Sequence, residues 1–279
     1  MSDQIRETVR TILDGVDRLV DAKDYDEALG ILEKLSGICP DDPVPYIKRA
    51  EILSDRGRNK EALAALEIAA GACPPVSLGA ILSCRARVLE AMGDLRFCID
   101  MLKRVVELEP GNSDAWFELG KSYSDLGDHR GTISCLKRVI ELTPESPSTW
   151  SSLGTSYYNL GMFKEAVDAY DRAIQADPTN EVRWYNKGNA LLELGKFTEA
   201  VLCFDKVLEH DSNWIEAWNN RGVALDRAGM LQDAEESFLR ALNIKPDYTL
   251  ARKNINIIRA KMRGEDVDDD WLGLDTDEG

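Results

Sequence analysis

The chain has 279 residues, 44% of them hydrophobic, and a formal net charge of −16. That is enough apolar material for one large core or two ordinary ones. The acidic balance argues against a sequence-independent grip on nucleic acid, which needs clustered lysine and arginine to displace counterions from phosphates. Six cysteines occur without a CxxC pair or a neighbouring histidine, so the pattern suggests neither a zinc site nor a redox motif and expects reduced thiols packed as small apolar residues.

The start, MSDQIRETVR, mixes acids and bases and lacks the basic end followed by an apolar run that marks a secretory signal. The longest uncharged stretch contains Pro74 and Pro75 and is shorter than a membrane span. The expectation is a cytoplasmic protein with no membrane partner, with residues 1–8 as a lead-in.

From residue 9 onward the chain repeats. A small residue recurs at Ala28, Ala62, Cys98, Thr132, Ala166, Ala200 and Ala234, spaced by 34 residues except for one step of 36. A glycine recurs at Gly57, Gly93, Gly127, Gly161, Gly195 and Gly229, with Lys23 in its place in the first unit. A proline closes most units, at Pro40, Pro74, Pro110, Pro144, Pro178 and Pro246, and Ser212 stands in for one. In the stretch from Trp150 to Pro178, Trp150, Leu153, Gly154 and Tyr157 fall on one face of a helix, and Phe163, Ala166, Val167, Tyr170, Ala173 and Ile174 on one face of a second. Gly161 suits the left-handed residue that ends the first helix, and Pro178 stops the second. Each unit is therefore a helical hairpin, and the two extra residues near Pro75 to Leu78 fall in a turn, where they disturb no helix register.

Trp116, Trp150, Trp184 and Trp218 are each 34 residues apart. The period, with W-x2-L-G-x2-Y followed by A-x3-F/Y and proline, resembles the tetratricopeptide repeat (TPR). The resemblance covers seven repeats, 9–42, 43–78, 79–112, 113–146, 147–180, 181–214 and 215–248; the first three carry Ile12, Tyr46 and Leu82 where the later ones carry tryptophan. It implies an all-α fold, a right-handed α-solenoid (superhelix) of stacked helix-turn-helix repeats. One hairpin cannot bury its apolar face alone, so the array needs a cap, expected at 249–263, where Leu250, Ile255 and Ile258 face the preceding hairpin. The last segment, 264–279, carries eight acids and no base and is expected to be a disordered, solvating tail. The alternative is that Trp271, Leu272 and Leu274 form a docking motif; a calcium loop is rejected because Trp271 takes the position that needs glycine.

In the family resembled, the first helix of each hairpin lines a concave groove that holds peptides or a partner's helix. A helical wheel puts Ser148, Ser151, Thr155, Tyr158, Asn159, Val182, Tyr185, Asn189, Leu192, Glu193, Glu216, Asn219, Val223, Asp226 and Arg227 on that surface as exposed residues. Asn186, Asn220 and Asn254 stand 34 residues apart. An amide both donates and accepts, so such a column can pair with the main chain of an extended peptide. A protein sugar transferase of this superfamily uses asparagines in a similar arrangement. Asn186, Asn189, Asn219, Asn220 and Asn254, with Tyr158, Tyr185 and Lys121, are thus the candidate peptide-binding residues; the alternative is that asparagine is merely tolerated there. The carboxylate clamp of the family's chaperone adaptors fits poorly: Asn189 and Asn220 match its asparagines, but Tyr185, Leu250 and Asn254 replace its bases, and Arg87 and Lys121 are the basic groove residues of the middle repeats.

No phosphate-binding glycine loop, GxSxG elbow or HExxH occurs, and His129 and His210 occupy unrelated places in their hairpins. The sequence therefore reads as a non-enzymatic protein-binding scaffold or adaptor without cofactor or metal. The alternatives are a self-associating structural array and a regulatory subunit of an enzyme complex; the apolar inner residues Leu13, Val20, Val44 and Ile47 would suit either a partner helix or a second copy.

Overall fold

The structure is a computed structural model that describes residues 3–265, with side chains described from residue 7. Its described residues form fifteen α-helices and no strand. They divide into two compact units, with the boundary in the chain between Leu142 and Thr143. Unit 1 holds α1 (Asp3–Asp21), α2 (Tyr25–Ile38), α3 (Pro43–Asp55), α4 (Asn59–Ala72), α5 (Leu78–Ala91), α6 (Leu95–Leu108), α7 (Ser113–Asp125) and α8 (His129–Leu142). Unit 2 holds α9 (Pro147–Asn159), α10 (Phe163–Ala176), α11 (Glu181–Glu193), α12 (Phe197–His210), α13 (Ile215–Arg227), α14 (Leu231–Ile244) and α15 (Thr249–Met262). The helices form seven hairpins and one further helix. The first helix starts at Asp3, inside the expected lead-in 1–8. The extra residues near Pro75 form a 3-10 turn, Pro75–Ser77, ahead of α5.

The small residues of the second helices are where the helices of a pair meet. Ala28, Ala62, Ala166, Ala200 and Ala234 are fully buried. In unit 2 the first-helix glycines each take an aromatic ring from the partner helix. A Cβ on Gly154 would come within 2.7 Å of Tyr170, on Gly188 within 2.8 Å of Phe204, and on Gly222 within 2.6 Å of Phe238. The glycine is a seat for the ring, which packs directly onto the backbone of the first helix.

The turns inside the hairpins share one geometry. Gly57, Gly93, Gly127, Gly161, Gly195 and Gly229 all have φ between 71 and 80°, and Lys23 takes the same left-handed conformation at φ 63°. Lys23 is the one side chain among the described residues held there, a conformation that disfavours a Cβ.

The recurrent tryptophan has a second role beyond packing. Its indole Nε1 donates to a carbonyl six residues earlier, in the turn between hairpins. Trp116 donates to Pro110 O at 3.1 Å, Trp150 to Pro144 O at 2.8 Å, Trp184 to Pro178 O at 3.1 Å and Trp218 to Ser212 O at 2.9 Å. Ser212 can replace the proline because the turn uses the carbonyl, which every residue has. Arg252, at the tryptophan position of α15, donates to Pro246 O in the same way.

α15 closes unit 2: Ala251, Ile255 and Ile258 join Phe238 and Ala241 in one buried cluster, and Arg259 Nε pairs with Glu235 at 2.6 Å. Just past its end Gly264 is again left-handed, and Glu265 pairs with Arg263. The remainder of the acidic segment, with Trp271, Leu272 and Leu274, lies outside the described residues. No helix among the described residues is long and apolar enough to cross a membrane.

Candidate functional site

In unit 2 the first helices α9 and α11 lie side by side and leave a cleft of about 100 Å³, lined by Thr155, Tyr158, Asn159, Tyr170, Tyr185, Asn186 and Asn189. Its floor is the Tyr170 ring seated on Gly154, with Tyr170 Oη and Thr155 Oγ1 3.0 Å apart. Tyr158 stands edge-on to Phe163 at 5.3 Å between ring centroids. Burial pushes its phenol up to about 12, so it stays protonated, with a hydroxyl able both to donate and to accept. Asn159 is exposed and Asn186 half-buried. Neither amide side chain has a hydrogen-bond partner among the described residues, so both offer donor and acceptor to the cleft.

The other candidate asparagines are placed differently, which corrects the expectation of an exposed ladder. Asn219, Asn220 and Asn254 are fully buried, and Asn189 and Tyr185 nearly so. They bond to one another across three first helices. Asn220 Nδ2 donates to Tyr185 Oη and to Asn189 Oδ1, both at 3.0 Å. Asn219 Nδ2 donates to Asn220 Oδ1 at 3.1 Å, and Asn254 Nδ2 to Asn219 Oδ1 at 3.0 Å. Leu192, Val223 and Asp226, also expected on the open surface, are buried too, and Asp226 takes a two-pronged bond from Lys261 Nζ at 2.9 and 2.8 Å. The physical reason is the neighbour: each successive first helix covers the flank of the one before, which a wheel drawn for one helix omits. The pairing residues sit 31 and 35 positions apart, one repeat minus or plus part of a turn, and that spacing is the sequence signal for the network.

Of the predicted site residues, the cleft thus brings together Tyr158, Tyr185, Asn186 and Asn189. Asn219, Asn220 and Asn254 belong to the interior. Lys121 lies in unit 1, where its Nζ pairs with Glu90 at 2.7 Å, and Arg87 pairs with Glu51 at 2.6 Å. Leu13, Val20 and Ile47, offered above as a surface for a partner helix or a second copy, are partly buried against unit 1's own core, and Val44 is exposed. No group of three histidine, cysteine or acidic side chains among the described residues could hold a metal ion. Burial raises the thiols of Cys84, Cys135 and Cys203 to about 11, which keeps them protonated and unreactive.

Models of the tetratricopeptide repeat match residues 113–146, 147–180, 182–213 and 215–248. No curated protein sequence matches the chain. Among solved structures, it is similar to the C-terminal part of a TPR repeat-containing protein from Cytophaga hutchinsonii, with a TM-score of 0.72 at 16% identity, covering 87% of this chain and 98% of that one. MamA from Desulfovibrio magneticus gives a TM-score of 0.58 at 16% identity over 61% of this chain and 97% of its own. YrrB, described as a TPR protein with an unusual peptide-binding site, gives 0.54 at 21% identity over 80% and 96%. At these identities the likeness is one of fold.

Proposed function

Since the chain is a tetratricopeptide-repeat protein, its family-matched repeats running over 113–248, we propose that it is a non-enzymatic adaptor that holds an extended segment of a partner protein in the cleft between α9 and α11. The observation that carries this reading is the contrast among the asparagines. Asn219, Asn220 and Asn254 spend their amides on one another, whereas Asn159 and Asn186 present theirs to an open cleft beside the Tyr158 hydroxyl. Uncharged groups that both donate and accept suit a peptide main chain, whose N–H and C=O alternate whatever its side chains. The aromatic walls supplied by Tyr158, Tyr170 and Tyr185 add contact area at little entropic cost. That YrrB is described as a peptide-binding protein of the same fold is in keeping with this reading.

The test is to select peptides from a random display library on the intact chain and titrate the best one against Asn159→Ala plus Asn186→Ala. Two neutral hydrogen bonds at ~0.5–1.5 kcal/mol each predict a loss of roughly 5- to 150-fold in affinity. Unchanged affinity in the double variant would refute the assignment of the cleft.

A further inference from the structure

The corresponding position in unit 1 is also open, but its chemistry differs. Between α5 and α7 lies a pocket of about 290 Å³ with Ala86, Leu102 and Ala115 in its floor. It exists because two residues are small. Leu102 holds the repeat position that Tyr170, Phe204 and Phe238 fill with rings in unit 2, and Ser83, like Ser151 in unit 2, is small at the position that Tyr185 fills one repeat after Ser151. On the rim, Arg87 stands where unit 2 has Thr155, Glu90 where it has Tyr158, and Glu118 where it has Asn186. The cleft that is amide and phenol in unit 2 is ionic in unit 1.

The charges of this rim do not cancel. Arg87 pairs with Glu51 at 2.6 Å, and Glu90 with Lys121 at 2.7 Å. Asp114 and Glu118, one turn apart on α7, line the same pocket and form no ion pair among the described residues. Two carboxylates in excess of the paired charges stand over an apolar floor, Lys121 acting on Glu118 from one turn along α7 without a direct ion pair. A group that satisfies both features has a methylene stem to lie on Ala86, Leu102 and Ala115 and a cationic head to meet Asp114 and Glu118. We propose that this pocket takes a lysine or arginine side chain from an extended segment of a partner protein. The assignment stands on unit 1 alone and does not depend on the cleft of unit 2.

Four labelled peptide pools, each of extended decamers with arginine, lysine, norleucine or glutamate fixed at the centre, test it by fluorescence anisotropy. The proteins are the intact chain, Asp114→Asn plus Glu118→Gln, and Asn186→Ala. Charge-assisted bonds to two carboxylates predict that the arginine and lysine pools bind at least about tenfold more tightly than the norleucine pool, that the preference disappears in the Asp114, Glu118 double variant and weakens with salt, and that Asn186→Ala keeps it. Equal binding of basic and norleucine pools, no binding of any pool, or a preference that survives the double substitution would overturn the proposal. A preference lost in Asn186→Ala would place basic recognition in unit 2 and overturn it as well.

Discussion

Replacing Asn220 by alanine should be costly, while the same change at Asn186, at the same position one repeat earlier, should not. Asn220 serves at least three partners: Tyr185 Oη and Asn189 Oδ1 accept from its Nδ2 at 3.0 Å, and its Oδ1 accepts from Asn219 Nδ2 at 3.1 Å. Each buried polar group left without a partner costs about 1–3 kcal/mol. Asn189 is 8% exposed and can turn toward water, but Asn219 is fully enclosed. Tyr185 keeps its ring contacts with Phe204 and Trp214, and Asn219 keeps the bond from Asn254, so the loss for Asn220→Ala comes to about 2–4 kcal/mol rather than the full sum of three orphaned groups. Asn186 serves no hydrogen-bond partner among the described residues, and its change should stay within about 0.5 kcal/mol. Stacked repeats open locally rather than all at once, so the assay is amide hydrogen exchange along α11 and α13 in both variants. If the two variants lost equal protection, or Asn186→Ala lost more, the division into interior and open amides would be wrong.

Lys23→Gly should stabilise the α1–α2 hairpin by about 1 kcal/mol, because the left-handed turn at φ 63° no longer carries a Cβ; a thermal melt that fell would refute this. In the native protein, a thiol reagent should label Cys73, the half-buried cysteine, well ahead of the five buried ones, and all six should react once the chain is unfolded. Hydrogen bonds from Thr179 and Arg183 hold the Asp177 carboxyl down from 3.8 to about 2. A lowered carboxylate adds stability above its unfolded value that is lost as pH falls toward the folded one. Between about pH 4 and 2, therefore, Asp177→Asn should flatten the decline in stability of unit 2, and an identical acid titration in the variant would contradict it.

The hairpins were legible in the sequence because their determinants are local and repeated. Ala166 and its counterparts, the glycine turns and Lys23 among them all hold in the structure what their spacing implied. The site was only half legible. Asn186 and Asn220 occupy the same register, and nothing in their own hairpins separates them. The difference lies one repeat earlier, where Ser151 and Thr155 hold, ahead of Asn186, the repeat positions from which Tyr185 and Asn189 bond to Asn220. Small residues there leave a cleft, and larger polar ones close it into a network. The pocket of unit 1 has the same origin in Ser83 and Leu102. Burial on first helices depends on the neighbouring repeat, so it is read by comparing positions one period apart rather than around a single wheel.

The most direct test of the adaptor reading is photo-crosslinking in the native cell, with a benzophenone side chain in place of Thr155 in the cleft and, separately, in place of Leu202 on the exposed face of α12. A discrete partner protein crosslinked from position 155 and absent from position 202 is the predicted result. Crosslinks from 202 alone, or equal crosslinks from both, would contradict binding in the cleft.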